Sequence, residues 1–276
     1  MHRRFPEFVL QFTKGIPSLQ PSRGWPLAFI HINKTAGTTF SQYLNQHFPR
    51  PGAIAPPYLG DMSQVDVNDS TRELFWGHFT YAMFQERRKE AWFITFLRDP
   101  VERVISQYKS LHNPRNLSGP WESVLSREHL RALKFAHEAT LDEFVQTEDP
   151  FLLGHLLDLQ TAFLSSFRDR SHPQYVASAL FNLERRFLFF GITEEFEASI
   201  RLFQHQLKSD LEYRAEKHLK NVSPAGPIDL RPQTLNRIRE LVEYDQVVYD
   251  HARGLLRDRM RWVGDQRQEQ RWRRAA

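Results

Sequence analysis

The 276-residue chain contains no cysteine, and this absence removes several classes of protein at once. Disulfide-stapled folds, thiol catalysis and cysteine-bound zinc all require that residue. No apolar run approaches the length of a membrane span, and none of signal-peptide length follows the basic N-terminus. Twelve histidines are present, but they show no metal-ligand spacing such as His-Glu-x-x-His, so we expect no metal.

The composition predicts one folded enzyme-sized domain. With 41% hydrophobic and 25% charged residues, the chain is neither disordered nor membrane-like. Residues 1–26 form a proline-containing irregular lead-in, residues 27–260 the single domain and residues 261–276 a basic tail. The formal charge of +4 comes from eight arginines beyond residue 252, opposed by three carboxylates there, while the body is about neutral. We therefore expect no nucleic-acid partner. We interpret the tail as a solvated helix end; the alternative is that it contacts an acidic glycan, a membrane surface or a partner subunit.

The first chemical signal is a lysine-bearing turn between a strand and a helix. Residues 27–32 have the apolar content of a buried strand, and residues 38–47 have the periodicity of a helix. Unpaired N–H groups at a helix N-terminus attract anions, and Lys34 and nearby threonine hydroxyls add a charge and further donors. No glycine precedes Lys34, so the usual nucleoside-triphosphate loop is absent. The turn predicts a phosphate site of another kind, and a solvated lysine is the alternative.

A second strand, turn and helix repeats the arrangement. Residues 91–97 form an apolar run that ends at Arg98, and Pro100 occupies the first turn of the helix that follows. Ser106 lies two turns further along this helix. A guanidinium can donate two parallel hydrogen bonds to a phosphate, so this turn predicts a second anion site. The alternative for Arg98 is a surface ion pair with Asp99 or Glu102.

A third strand, residues 74–78, delivers His78 to the same edge. Strands separated by helices predict a parallel sheet, and ligands of such sheets bind beyond the carboxyl ends of the strands. Lys34, His78 and Arg98 are therefore expected to share one crevice, whereas His31 is expected in the core. The remaining expected elements are a loop over 49–57, a strand over 187–192 and helices over 81–89, 123–138, 141–147, 173–186, 196–208 and 232–260.

These segments together resemble the carbohydrate sulfotransferases that use 3′-phosphoadenosine 5′-phosphosulfate (PAPS), in particular the branch like heparan sulfate 2-O-sulfotransferase. The resemblance spans residues 27–260 and is weak over 113–173. It implies an α/β, P-loop-like three-layer fold, the sulfotransferase fold, with a central parallel sheet flanked by helices. It also implies that His78 is the catalytic base, that Arg98 and Ser106 bind the 3′-phosphate, and that His218 leads into a loop that closes over the nucleotide. The implied 5′-phosphosulfate loop is Lys34, Thr35, Ala36, Gly37, Thr38 and Thr39, and the implied closing loop contains Lys220, Asn221 and Ser223.

The implied function is transfer of a sulfuryl group from PAPS to a carbohydrate hydroxyl, with Lys34 also catalytic. Two alternatives stay open: a P-loop-type nucleotide phosphotransferase, and a non-catalytic module that binds a nucleotide or a glycan. The branch has a second histidine two positions before its base, where this chain has Trp76, so no role that depends on a histidine pair is expected. If His78 is not the base, His112, His137 and His155 are the next candidates.

The location and assembly are expected to differ from those of animal relatives. Those enzymes are usually anchored in the Golgi membrane, whereas this chain lacks an apolar anchor and cysteine. We therefore expect a cytoplasmic protein, of bacterial type, rather than one of the Golgi lumen. Homo-oligomerisation is left open.

Overall fold

The computed structural model describes residues 25–45, 48, 51–54, 66–88, 90–113, 125–206, 228 and 230–275, with the side chains of these residues except in 51–54 and 264–275. One sheet of five strands, all paired in parallel, forms its centre. The predicted α/β fold with a central parallel sheet flanked by helices is confirmed. The strands lie in the order β2-β3-β1-β4-β5, and they are β1 (Leu27–Ile30), β2 (Pro51–Ile54), β3 (Leu74–Gly77), β4 (Trp92–Leu97) and β5 (Phe187–Ile192).

Helices connect and cover the strands. A short 3₁₀ turn, Thr193–Glu195, follows β5. The α-helices of the described residues are α1 (Gly37–Asn45), α2 (Tyr81–Arg87), α3 (Pro100–Leu111), α4 (Arg127–Glu138), α5 (Leu141–Val145), α6 (Pro150–Leu156), α7 (Leu159–Leu164), α8 (Tyr175–Arg185), α9 (Phe196–Gln206), α10 (Pro232–Leu241) and α11 (Glu243–Ala275).

Burial explains why the inner strands are almost continuously apolar. Every residue of β1, β4 and β5 is buried, as expected for parallel strands covered on both faces. The register pairs Ile30 with Gly77 on one side and with Thr95 on the other. The carboxyl end of β1 therefore lies between those of β3 and β4, and the turns after these three strands leave the sheet at one edge.

A second apolar core lies beside the sheet. Buried residues of α3, α4, α5, α6 and α10 form this cluster, which is separate from the main core around the strands. Val104 of α3 belongs to the helical cluster, while Leu97 at the end of β4 belongs to the main core. The turn between β4 and α3 therefore connects the two cores, which fixes the place of Arg98.

The prediction of a loop over 49–57 is wrong in part, because β2 occupies Pro51–Ile54. Among the described strands, β2 lies at the edge of the sheet and pairs with β3. Proline lacks an N–H group but is tolerated as the first residue of an edge strand, which is where Pro51 lies. The proline content indicated the boundary of the strand rather than its absence.

The prediction of one closing helix over 232–260 is also wrong. The chain forms two helices there, and Val242 between them has a non-helical backbone with φ −121° and ψ 28°. The second helix continues to Ala275. Two short helices in the middle of the chain, α6 and α7, were not predicted at all. The strand over 187–192 is confirmed, and the other expected helices begin or end within a few residues of their predicted bounds.

Candidate active site

The turn after β1 adopts a backbone suited to binding an anion. Lys34 and Ala36 both have positive φ angles, 71° and 63°. For residues with a side chain this left-handed conformation costs about 1–2 kcal/mol each, and such strain is concentrated at functional sites. Residues that alternate in this way turn successive N–H groups towards a common point. The N-terminus of α1 follows directly, and its first N–H groups have no partner within the helix.

Gly37 at the start of α1 is required by a close approach of His31. A Cβ atom at this position would lie 1.9 Å from Cδ2 and 2.1 Å from Nε2 of the His31 ring. A side chain at residue 37 would therefore displace His31 or the turn. The single glycine of this loop allows the helix N-terminus to pack directly on the imidazole.

Lys34 is partly shielded from solvent, and this burial lowers the pKa of its ammonium group, with the nearby Arg98 guanidinium as a second cause. A cation held under these conditions gains more from an anion than one in bulk water. Arg98 also lies close enough to donate from Nη1 to the Lys34 carbonyl oxygen, at 3.4 Å. The two predicted anion-binding cations are thus adjacent.

The threonines of the turn do not all present their hydroxyl groups as predicted. Thr35 is fully buried, and its hydroxyl donates to the carbonyl oxygen of Ile32 at 2.9 Å. This hydroxyl stabilises the turn, so only the Thr35 N–H group remains as a donor for an anion. Thr38 is exposed and Thr39 is half-buried at the first turn of α1. Burial of residue 35 follows from tertiary packing, which the hydroxyl-rich composition of the loop did not reveal.

His78 follows β3 and has a defined tautomer. Its Nδ1 atom lies 2.7 Å from the carbonyl oxygen of His31. Because a carbonyl oxygen can only accept, Nδ1 carries the proton and Nε2 retains a lone pair. Burial lowers the pKa of the imidazole, and the hydrogen bond to His31 opposes this shift. His78 is therefore neutral at physiological pH and able to accept a proton at Nε2.

Arg98 follows β4 and is held at both its backbone and its side chain. The side-chain amide of Gln160 accepts from the Arg98 N–H group and donates to its carbonyl oxygen, both at 2.9 Å. The guanidinium lies 3.5 Å from a carboxylate oxygen of Glu102 and 3.9 Å from one of Glu194. Its Nε atom is buried and has no hydrogen-bond partner. A phosphate at this position would satisfy that donor, so the guanidinium fits an anion site.

Ser106 lies on α3, half-buried, one turn beyond Glu102 on the same face of the helix. Since Glu102 contacts Arg98, this face of α3 leads from Arg98 to Ser106. The pairing of Ser106 with Arg98 at one phosphate stays a prediction. The predicted closing-loop residues Lys220, Asn221 and Ser223 lie outside the described residues, as does His218.

Two of the alternative base candidates have structural contacts. The ring nitrogens of His112 lie 3.1 Å and 2.9 Å from the carbonyl oxygens of Tyr108 and Ala139, so its ring joins α3 to the end of α4. His137 Nδ1 lies 3.0 Å from the carbonyl oxygen of Leu111. These contacts use the rings to connect helices.

His155, the third candidate, differs from these two, because its Nδ1 atom is buried without a hydrogen-bond partner. Burial lowers the pKa of its imidazole to about 4, and the neighbouring Arg103 and His78 contribute to the shift. His155 belongs to α6, in the segment that could not be interpreted from the sequence, and its ring contacts Phe151 of the same helix.

Sequence reasoning also missed a buried polar network behind Arg98. The Asp245 carboxylate of α11 accepts hydrogen bonds from the N–H groups of Gln160 and Thr161 at 3.1 Å and 2.7 Å, and so caps α7. In return, the Asp158 carboxylate before α7 accepts from the N–H groups of Tyr244 and Asp245 at 2.8 Å and 3.1 Å, and so caps α11. The two helices therefore cap each other, which holds Gln160 against Arg98.

Arg103 is the buried cation of this network. Its side chain is fully buried and Nη2 donates to the carbonyl oxygen of Leu156 at 3.2 Å. Burial lowers the pKa of the guanidinium to about 10, while the Asp245 carboxylate opposes this shift. No pattern in the sequence distinguishes Arg103 from a surface arginine of an amphipathic helix.

The described residues contain no group of three or more histidine, aspartate or glutamate side chains that could hold a metal ion. None of the helices in the described ranges is long and apolar enough to cross a membrane. The arrangement offers a neutral imidazole, a lysine on an anion-binding turn and an arginine, on three adjacent strands.

Comparison with known proteins identifies relatives of this site. Zebrafish (Danio rerio) heparan-sulfate 6-O-sulfotransferase 2 is 26% identical over 90% of this chain and 62% of its own length. Human (Homo sapiens) heparan-sulfate 6-O-sulfotransferase 1 is 26% identical over 89% of this chain and 69% of its own length. The chicken (Gallus gallus) 6-O-sulfotransferase 1 is 25% identical over 82% of this chain and 65% of its length. The chain thus spans about two thirds of the length of these relatives.

These relatives correct two expectations. They are 6-O-sulfotransferases, so the chain is similar to the 6-O enzymes and not, as expected, to the 2-O branch in particular. The prediction of a cytoplasmic protein of bacterial type is wrong, because the matched proteins are animal enzymes that act in the Golgi. That prediction depended on missing cysteines and a missing apolar segment, and neither absence specifies a compartment.

The profile described as the Sulfotransferase family matches residues 24–252, most of the chain. The chain therefore belongs to the sulfotransferase family.

Proposed function

We propose that this protein transfers a sulfuryl group from PAPS to a carbohydrate hydroxyl. The observation that carries the proposal is the order of the strands. His78, Lys34 and Arg98 follow β3, β1 and β4, which are adjacent in that order. In the reaction, the acceptor hydroxyl, the 5′-phosphosulfate and the 3′-phosphate also form a row. The base, the lysine and the arginine can each meet one of them.

The chemistry at each position follows from the charges. His78 would accept the hydroxyl proton at Nε2 while the acceptor oxygen forms a bond to sulfur. Lys34 and the N–H groups of the turn would stabilise the negative charge that develops on the bridging oxygen as the sulfur–oxygen bond to the 5′-phosphate breaks. Residues 34–39 provide those N–H groups, with the Thr35 hydroxyl excluded because it donates to Ile32.

Arg98 would bind the 3′-phosphate, which is remote from the reacting atoms. Together with Ser106 it would supply affinity and alignment rather than bond chemistry. Its contacts with Glu102 and Glu194 would weaken as the phosphate binds, because carboxylates and phosphate compete for the same donors. Lys220, Asn221 and Ser223 remain proposed members of the closing loop.

The proposed acceptor is a polysaccharide with a hydroxyl on a hexose C6 atom. The relatives are named for 6-O-sulfation of heparan sulfate, and this is the support for the finer assignment. A 6-hydroxyl is a primary alcohol, and near neutral pH it needs a base to become an effective nucleophile. The neutral His78 imidazole meets this requirement.

Transfer of labelled sulfate from PAPS to a panel of desulfated polysaccharides, without added metal, tests the proposal. We expect product from the wild type, and a loss of about a hundredfold or more in His78→Ala, as typical for a general base. His172→Ala, on the loop before α8, is the matched control and should retain activity. Calorimetry with adenosine 3′,5′-bisphosphate should give tighter binding than ADP in both variants. Binding that requires Mg²⁺ would instead support a phosphotransferase, and binding without transfer to any acceptor would support a non-catalytic module.

A further inference from the structure

We infer that His31 is a positioning residue that holds the proposed base His78 in its reactive orientation and connects it to the anion-binding turn. This inference rests on the proposed function. It concerns a residue that was expected to be an ordinary core histidine. His31 is indeed buried, but its contacts lie within the site.

The sheet register brings the two histidines together. Ile30 of β1 pairs with Gly77 of β3, and the His31 N–H group continues the ladder by donating to the Gly77 carbonyl oxygen at 2.9 Å. His31 and His78 are thus neighbours across two parallel strands, with ring centroids 4.4 Å apart and ring planes inclined by 32°. Because residue 76 is a tryptophan, β3 has no second histidine two positions before His78. A histidine pair exists nevertheless, because His31 at the end of β1 lies beside His78.

Three contacts prevent the His31 ring from moving. It stacks on Phe29 with centroids 5.6 Å apart and an interplanar angle of 11°. The α carbon of Gly37 leaves no room above it, and only 9% of the residue is exposed. On its remaining side the ring meets His78. A displacement of the turn would thus be transmitted through His31 to His78.

The His31 carbonyl oxygen and the His31 ring act on His78 together. The carbonyl accepts a hydrogen bond from Nδ1–H and so leaves Nε2 as the ring nitrogen with a lone pair. The ring covers one side of the His78 imidazole and keeps water from it. Rotation of His78 would break the 2.7 Å hydrogen bond and bring its ring against that of His31.

The His31 ring itself remains uncharged. Burial lowers its pKa to about 3, and the charges of His78 and Lys34 contribute to the shift. The charges of His78 and of Lys34 from the turn act on the His31 ring, and His78 also acts on His155 of α6. A neutral neighbour does not oppose the proton that His78 receives, whereas a cation at residue 31 would.

The test compares His31→Leu with His31→Ala through the pH dependence of kcat. Only neutral His78 accepts a proton, so kcat rises with pH through the His78 pKa, which burial places below its ordinary value of 6.5. In His31→Ala, water enters beside His78 and the midpoint of this rise should move upward, towards pH 6.5, with kcat about tenfold lower. His31→Leu fills most of the space without a charge and should keep the wild-type midpoint and lose less than about threefold.

Phe29→Leu is the matched control, because Phe29 stacks on the His31 ring and has no ring contact with His78 among the described residues. It should lower the melting temperature without moving the midpoint. All three variants should bind adenosine 3′,5′-bisphosphate within a few-fold of the wild type. An unchanged midpoint in His31→Ala, or the same upward movement in Phe29→Leu, would overturn the inference. Loss of transfer by the wild type itself would instead refute the proposed function.

Discussion

Lys34 holds its charge in a backbone conformation that lysine rarely adopts. Its φ of 71° and its partial burial both cost free energy in the absence of an anion. Ala36 adds a second left-handed residue two positions later. Neither position is a glycine, so the surrounding packing must hold both residues in this conformation. Such strain is concentrated at functional sites, and this supports the proposed anion-binding role of the turn.

Lys34→Ala should lower kcat by about a hundredfold or more, because a charge that meets the leaving oxygen acts mainly in the transition state. Alanine has a Cβ atom as lysine does, so the backbone strain is unchanged and the fold should survive. Lys34→Arg should restore little, since a wider planar group cannot occupy the position of an ammonium. Steady-state kinetics and thermal melts measure both, with the exposed Lys134→Ala as control. Near-normal turnover in Lys34→Ala would indicate a solvated lysine without a catalytic role.

At the residue scale, the positions of side chains that directly follow apolar strands could be predicted from the sequence. Lys34, His78 and Arg98 could be placed at one edge because parallel strands all end there. The neighbour relation of His31 and His78 could not be predicted, since it depends on the order and register of strands 47 residues apart. No sequence pattern predicted the roles of Gln160 and Arg103, because these roles depend on tertiary contacts with residues far away in the chain.

At the scale of elements, long apolar strands and well-capped helices could be predicted, and short or interrupted ones could not. The α6 helix does carry a start signal: the Asp149 carboxylate accepts from the N–H groups of Phe151 and Leu152, and Pro150 follows it. The α7 helix begins after Asp158, whose backbone has a left-handed conformation and whose side chain does not cap the helix. The sequence pattern gives no sign of a helix that begins in this way. The break at Val242 has no proline or glycine to mark it. It is explained by tertiary structure, because Asp158 caps the helix that begins there.

Gln160→Ala should weaken the support of Arg98 at the end of β4. Two hydrogen bonds of 2.9 Å to the Arg98 backbone are lost, each worth about 0.5–1.5 kcal/mol. We therefore expect a free energy of unfolding lower by about 1–3 kcal/mol and an affinity for adenosine 3′,5′-bisphosphate lower by several-fold. The affinity for AMP, which lacks the 3′-phosphate, should change less.

Denaturant titration and calorimetry measure these two quantities. Gln174→Ala, which removes an exposed glutamine before α8, is the matched control and should change neither. Equal loss of affinity for AMP and the bisphosphate would show that Gln160 does not act through Arg98.

At the scale of the whole molecule, one sheet and one cluster of helices share the β4–α3 turn. Their junction contains several buried ionisable groups, among them His31, His155 and Asp245. Burial of the two imidazoles as neutral groups couples the fold to pH. The family and the fold class could be predicted from two strand–turn–helix units, whereas the helical cluster could not, because its sequence carries no comparable motif.

The protein should lose stability as the pH falls below about 6.5. The pKa values of His31 and His155 are about 3 and about 4 in the folded protein, and about 6.5 in the unfolded chain. Between these values the unfolded chain binds more protons, so the free energy of unfolding rises with pH and falls on acidification. Each such histidine contributes up to about 1.4 kcal/mol per pH unit.

Urea titrations of the wild type and His155→Leu at pH 7.5, 6.5 and 5.5 measure this dependence. The variant should lose less stability on acidification than the wild type, and the exposed Lys134→Ala should follow the wild-type curve. Parallel curves for the wild type and His155→Leu would contradict a neutral buried His155.

The reciprocal caps of α7 and α11 also set an order of events during synthesis. Gln160 supports Arg98, but its own N–H group is bound by Asp245, a residue made 85 positions later. A nascent chain that ends before Asp245 therefore lacks the carboxylate that fixes the start of α7. Because a domain folds as a unit, Arg98 gains its support from Gln160 only when the segment that contains Asp245 is available. Synthesis must therefore pass Asp245 before the support behind Arg98, a residue of the proposed nucleotide site, is complete.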